Sequence, residues 1–132
     1  MQIIDKLAWI HLKDSKILST RSKGKDTYYI PGGKREEGES DWQALSREIR
    51  EELDIDLIEE TLEPVGVYEA QAHGKHASIT VRMTCYQADY RGSITPSSEI
   101  EEVRWLDYKT GRNISSPVDQ IIFDNLRARG AL

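Results

Sequence analysis

The chain has 132 residues, a length that suits one domain with one working core. Its 38% apolar and 31% charged content, with only four Pro and nine Gly, excludes disordered, collagen-like and low-complexity classes. With 18 basic and 23 acidic residues the net charge is −5, which disfavours nucleic acid as a partner and leaves open a small anion held through a metal. No apolar run approaches the roughly 18–20 residues needed to cross a bilayer, so no membrane partner is expected. The opening MQIIDKLAWI lacks the basic n-region and long apolar stretch of a secretory signal. Cys85 is the only cysteine, so no internal disulfide can form, and the cytoplasm is the expected compartment. No repeat or linker-like stretch interrupts the sequence, which predicts a single domain over residues 1–132.

In chain order, Ile4, Ala8, Ile10 and Leu12 alternate with Asp5, Leu7, Trp9 and His11 in a first strand. Asp14-Ser15 turns it into a second strand over residues 16–20. A polar loop covers 21–26, and a short strand over 27–30 runs into Pro31-Gly32-Gly33. Ser40 caps the next helix, with Gln43 three residues on completing a capping box and Asp41 facing the positive end of the helix dipole. Residues 65–71 and 78–90 read as two strands joined near His73-Gly74. In the second of these, Ile79, Val81, Met83 and Cys85 share one face. A strand over 101–106 follows. Ser116 as N-cap and Pro117 at the first helical position start a last helix, which Gly130 closes. Its predicted apolar stripe is Val118, Ile121, Ile122 and Leu126. Strands with one helix between them and another at the end predict an α+β fold, a mixed sheet covered on both faces.

The segment that carries chemistry is residues 33–55, GKREEGESDWQALSREIREELDI. At 100° per residue, Trp42, Leu45, Ile49 and Leu53 fall in a stripe about 80° wide, and Glu48, Glu51 and Glu52 in another about 110° away. Like charges at i,i+4, as in Glu48 and Glu52, cost a few tenths of a kcal/mol. A hard divalent cation reverses that sign, and all-oxygen ligands favour Mg²⁺ or Mn²⁺ over zinc. A solvated acidic face is the commoner meaning of such a pattern taken alone. The residues around it point the other way.

This segment resembles the box of the Nudix hydrolase family, GX5EX7REUXEEXGU, in which U is a bulky aliphatic residue. Gly33, Glu39, Arg47, Glu48, Ile49, Glu51, Glu52 and Ile55 stand at the required spacings, eight of nine specified positions. The exception is Asp54, where the family has Gly. The resemblance implies a Nudix-type α/β/α sandwich and hydrolysis of a nucleoside diphosphate linked to another group. It implies Glu51 and Glu52 as the principal metal ligands, Glu48 as a further ligand or the base, and the Gly32 carbonyl as facing the metal, Mg²⁺ with Mn²⁺ as substitute. Arg47 and Glu39 are implied to orient these carboxylates, with Gly33 structural. Outside the box the chain is most similar to MutT-like nucleoside triphosphate pyrophosphohydrolases, through Pro31-Gly32-Gly33-Lys34 and through Arg21, where such enzymes often place a phosphate-contacting arginine. Lys34 and Arg21 are thus the expected substrate contacts, and Glu99 is a second candidate base.

The expected substrate is a (deoxy)nucleoside triphosphate cut to monophosphate and pyrophosphate. ADP-ribose, nucleotide sugars and dinucleoside polyphosphates are the alternatives within enzymes, and a nucleotide sensor without turnover is the alternative outside them. Members that prefer oxidised guanine have an asparagine near the start of the last helix, where this chain reads Ser116-Pro117-Val118-Asp119-Gln120, so that preference is not expected. The sequence is compatible with a monomer or a homodimer. His73 and His76 flank Gly74 in a turn better suited to substrate contact than to metal. Cys85 is expected in the core. Tyr28, Tyr29 and Tyr86 are expected to pack, with base stacking as the other use of such rings.

Overall fold

The computed structural model describes residues 2–72 and 78–132. Strand β1 (Gln2–Trp9) is central to a four-stranded mixed sheet of order β4-β1-β7-β6. It pairs in parallel with β7 (Ile79–Gln87) and antiparallel with the short β4 (Gly32–Lys34), while β6 (Glu63–Gln71) lies antiparallel on the far side of β7. A second sheet joins β2 (Leu12–Lys13), β3 (Lys16–Ser22) and β9 (Ile100–Leu106), and β5 (Asp56–Leu57) pairs with β8 (Tyr90–Arg91). The helices are α1 (Asp41–Leu53), α2 (Tyr108–Ile114) and α3 (Pro117–Ala128).

The two-residue period of β1 explains why both sheet faces are covered. Leu7 and Trp9 point to one side and join Ala44, Leu45, Ile49 and Leu53 of α1. Ala8 and Ile10 point to the other and join Val118, Ile122, Phe123 and Leu126 of α3. Leu18 and Ile17 divide in the same way. Cys85 is buried with the second group, as expected. Two cores on either side of one sheet make the α/β/α sandwich.

Helix α1 starts on the predicted capping box, with Ser40 accepting from the Gln43 N–H and the Gln43 side chain accepting from the Ser40 N–H. It ends on Asp54 in the left-handed conformation, φ 55° and ψ 40°. Asp14 and Ser15 both take positive φ in the two-residue β2–β3 turn, as a tight hairpin requires.

Several expectations need correction. The first strand breaks after Trp9 and resumes at Leu12, and the long strand over 78–90 divides into β7 and β8. Residues 27–30 form only isolated bridges, Thr20 to Tyr29 and Tyr28 to Ser115, while the Gly-Gly-Lys that follows forms β4. Arg21 and Ser22 belong to β3, not to a loop. Ile121 is 41% exposed. On the α3 wheel it falls about 60° outside the arc running from Val118 through Phe123, and Asp119 and Phe123 are buried in its place. Ser116 is the N-cap residue of α3 but makes no side-chain capping bond. Helix α2, capped by Asp107 accepting from the Thr110 N–H, was not foreseen. His73 and His76 lie outside the described residues.

Candidate functional site

The acidic flank of α1 opens onto a cavity lined by Glu48, Glu51, Glu52, Ser22, Ser98, Glu99 and Ile100. One helix therefore delivers three carboxylates to one place, and the turn before β9 adds the fourth. The loop before α1 fixes their posture. The Arg47 guanidinium donates to both Glu39 oxygens, at 2.7 and 2.8 Å, to Glu48 Oε1 at 2.6 Å and to the Lys34 carbonyl at 3.1 Å. It also lies 3.5 Å from Glu51. Beside Arg47, the Glu39 carboxyl is held down at about 2.

Gly33 and Gly32 allow helix and strand to meet. A Cβ on Gly33 would collide with the Glu48 carboxylate, and one on Gly32 would collide with the Leu7 carbonyl. Gly32 also has φ 149°, which a side chain would strain. Its N–H donates to Glu52 Oε1 at 3.1 Å.

Burial raises the Glu52 carboxyl to about 8 against that hydrogen bond, with Glu48 and Glu51 adding repulsion. Glu48 is also pushed up by burial, opposed by Arg47. As they stand, no three His, Cys, Asp or Glu side chains among the described residues converge as ligands, since Glu48 faces Arg47 and Glu52 faces Gly32. The donor set nonetheless fits a hard divalent cation. It consists of carboxylates alone, two of them desolvated and mutually repelling, and a cation would lower the energy of all three.

A second cavity continues from the first, sharing Ser22, Glu52 and Ile100, and is also lined by Lys6, Thr20, Tyr29, Gly32, Gly33 and Met83. Beyond it lies a more apolar cleft of about 250 Å³ between β1, β7 and the start of α3. Ile4, Tyr29, Val81, Met83, Pro117 and Val118 supply its walls, and Lys6 and Lys34 its charge. An outer cavity adjoining Glu99 is lined by Lys23 and Lys25.

Residues 7–120 match the sequence profile of the NUDIX domain. The chain belongs to the Nudix family. It is 32% identical over 113 residues to the uncharacterized Nudix hydrolase YvcI of Bacillus subtilis (strain 168), covering 84% of this chain and 71% of that protein. The solution structure of the E. coli ORF135 protein superposes with TM-score 0.76 at 27% identity, over 98% of this chain and 94% of that one. A MutT Nudix hydrolase from Burkholderia pseudomallei shares the fold, with TM-score 0.77 at 20% identity, over 94% of this chain and 98% of that one. The protein is thus a Nudix pyrophosphohydrolase, a family that uses divalent metals and acts on small nucleotide substrates.

Within this Nudix domain the structure brings together Glu48, Glu51, Glu52 and Glu99, with Gly32 in the adjoining cavity and Lys34 on the cleft. It does not bring Arg21 to them. Thr20 and Ser22 line the cavity, while Arg21 reaches across to Glu101 at 2.8 Å, Glu102 at 3.4 Å and the Lys25 carbonyl at 3.1 Å. Of the three tyrosines, Tyr29 lines the cavities, whereas Tyr28 donates to Glu102 and Tyr86 to Asp41.

Sequence reasoning missed Lys6, Lys23 and Lys25. The signal for Lys6 was present in the alternation of β1, where it shares the face of Ile4, Ala8 and Ile10. No such signal existed for Lys23 and Lys25, which sit in an ordinary polar loop. The buried Asp119 was also missed. Its Oδ2 accepts from the Ile30 N–H at 2.8 Å, and burial raises its carboxyl to about 7 against that bond, the charge of Lys6 and the Ser116 hydroxyl.

Proposed function

We propose that this protein is a Mg²⁺-dependent hydrolase, with Mn²⁺ able to substitute, that cleaves a nucleoside or deoxynucleoside triphosphate to the monophosphate and pyrophosphate. One observation carries the reading: the carboxylate cavity and the apolar cleft are joined, with Lys6, Tyr29 and Met83 common to the cleft and the linking cavity. The cleft alone is smaller than the roughly 300–1,000 Å³ of small-ligand pockets. A base in it therefore leaves the phosphates lying outward, along the carboxylates. Lys34 at one end and Lys23 and Lys25 beside Glu99 at the other offer charge along that path, which suits a chain of three phosphates.

Glu51, Glu52 and the Gly32 carbonyl would hold the ion, which would supply positive charge against the charge that develops on the phosphate oxygens in the transition state. Glu48 accepts a proton from the attacking water; burial raises its carboxyl above the usual carboxylate range, opposed by Arg47. The water oxygen bonds to a phosphorus inside the chain, the anhydride P–O bond breaks, and pyrophosphate departs. Arg47 and Glu39 hold Glu48 in place, and Glu99 is the second carboxylate able to take the proton.

The test is a panel of nucleoside triphosphates, ADP-ribose, nucleotide sugars and diadenosine polyphosphates assayed with Mg²⁺. The highest kcat/KM is expected for a triphosphate, with monophosphate and pyrophosphate as products and no strong preference for oxidised guanine. Orthophosphate as the main product contradicts the cleavage site. A hundredfold preference for ADP-ribose rejects the triphosphate reading and leaves the Nudix chemistry standing.

A further inference from the structure

Lys6 is half-buried on the face of β1 that it shares with Ile4, Ala8 and Ile10, on a strand hydrogen-bonded on both sides. A charge that is partly desolvated there is unfavourable unless something compensates it. No ion pair within 4.0 Å is found for it among the described residues; its ammonium stands 5.7 Å from the centre of the Tyr29 ring. Glu52 and Asp119 attract it from further away, on the carboxylate side and the α3 side respectively.

Its cross-strand neighbour makes the position more unusual. In the β1–β4 register Lys6 stands directly opposite Lys34. Like charges directly opposed in an antiparallel pair destabilise the sheet. Both lysines line the apolar cleft, and Lys6 alone of the two also lines the cavity with Glu52 and Gly32. The arrangement repeats the logic of the carboxylates on α1 with the sign reversed. Two repelling groups face one space, and a ligand of opposite charge relieves both.

Resting on the nucleotide reading above, we propose that Lys6, with Lys34 opposite, seats the phosphate nearest the nucleoside, where the base cleft meets the carboxylate cavity. A nucleotide with its base against Val81, Met83 and Pro117 must pass that phosphate by Lys6 before its outer phosphates reach Glu51 and Glu52. The anion then accepts charge-assisted hydrogen bonds from a donor that has no ion pair among the described residues. Lys6 thereby makes phosphorylation of the nucleoside a condition of tight binding, and it binds the monophosphate product as well as the substrate.

The experiment compares wild type, Lys6→Met and Lys6→Arg, each with Mg²⁺ and with whichever triphosphate is turned over best. Binding is measured for the matching monophosphate, the matching nucleoside and pyrophosphate, and KM and kcat for the triphosphate. In Lys6→Met the monophosphate Kd and the triphosphate KM should rise about tenfold or more, the loss expected for one charge-assisted contact. Nucleoside and pyrophosphate binding should stay within twofold or so, which also shows that the cleft and carboxylate cavity remain folded. Lys6→Arg should recover most of the loss. Equal weakening of nucleoside and monophosphate would mean Lys6 acts on the base or the cleft shape, and would overturn the proposal. Equal weakening of pyrophosphate would place it on the leaving group and would overturn it too, as would unchanged monophosphate binding in Lys6→Met. A wild type that neither binds nor cleaves any nucleotide would reject the functional reading itself, which separates the two failures.

Discussion

The two ends of the candidate site are built in different ways. The carboxylate end comes almost whole from one stretch, since Glu48, Glu51 and Glu52 share a helix and Arg47 and Glu39 brace them from within 15 residues. The cleft end is gathered from β1, the segment after β3, β7 and the start of α3, none adjacent in sequence. A buried carboxyl with a raised pKa lies at the carboxylate end and another behind the cleft end. Glu52 opens onto other carboxylates and a cavity, whereas Asp119, in the first turn of α3, is closed against the Ile30 N–H. In the function proposed above, the first exchanges its proton for a cation. The second lies outside the lining of the cleft and holds the Ile30 N–H that fixes the segment beside it. Burial alone therefore does not mark a functional acid; what the buried group faces decides.

The largest expected effect strikes the carboxylate end. Glu51→Gln and Glu52→Gln should each lower kcat by about a thousandfold, on the scale of losing a principal electrostatic group in an active site. Both should fold, because neither side chain belongs to the α1 core of Ala44, Leu45, Ile49 and Leu53. Wild type should melt at a higher temperature with Mg²⁺ than without, by mass action, and both variants should lose most of that rise. Since Glu52 carries a raised pKa, the rise should grow as pH increases toward and beyond about 8, where protons no longer compete with the ion. Unchanged turnover in both variants would remove the metal assignment from α1.

The cleft end should respond through stability. Asp119 has its pKa raised from 3.8 to about 7, so the folded protein keeps a proton that the unfolded chain has released between those pH values. Stability from this group is therefore greatest below about pH 4 and falls as pH rises through about 7. Asp119→Asn preserves an acceptor for the Ile30 N–H and has no proton to lose. It should flatten that part of the stability curve and be more stable than wild type at pH 8, by an amount on the order of 1–3 kcal/mol. Chemical denaturation at pH 5 and pH 8 measures both slopes. Parallel curves for the two proteins would show that Asp119 is ionised in the folded state across the range.

This division also sets how much was legible beforehand. Helical geometry converts spacing directly into a shared face, so Glu48, Glu51 and Glu52 could be placed together from sequence, and the Ser40–Gln43 capping box fixed where that helix begins. The alternation in β1 likewise sorted Leu7 and Trp9 from Ala8 and Ile10 onto the two cores. Register is different, because which strand lies beside β1 depends on tertiary pairing. Lys34 was visible as part of the family's entry to its box, but nothing local places it opposite Lys6. The place Arg21 takes depends on register in the same way. The resemblance pointed it at phosphate, whereas the register of β3 with β9 sets it beside Glu101 and Glu102. Helix α2 stayed hidden because its interior holds Gly111, which lowers helix propensity, and because no apolar stripe marks it.

The smallest expected effect tests whether the carboxylate end depends on the residue that breaks the family pattern. Asp54 terminates α1 in the left-handed region, φ 55° and ψ 40°, and its N–H still closes the last turn on the Arg50 carbonyl. A residue with a Cβ is strained there, Asp less than most, while glycine carries no such penalty but has more freedom to lose on folding. The two terms oppose each other, and relief of strain should win, so Asp54→Gly should stabilise by up to about 1 kcal/mol, read from a denaturation midpoint. Turnover per folded molecule should not change. Asp54 is exposed and absent from the lining of the carboxylate cavity, so it can affect catalysis only by moving the end of α1. Glu51 and Glu52 stand within one turn of that end, yet Leu53 beside them is fully buried and anchors the backbone. If Asp54→Gly instead lost activity while keeping its stability, the anchoring by Leu53 would be insufficient, and the helix terminus would have to be counted as part of what holds Glu51 and Glu52 in place.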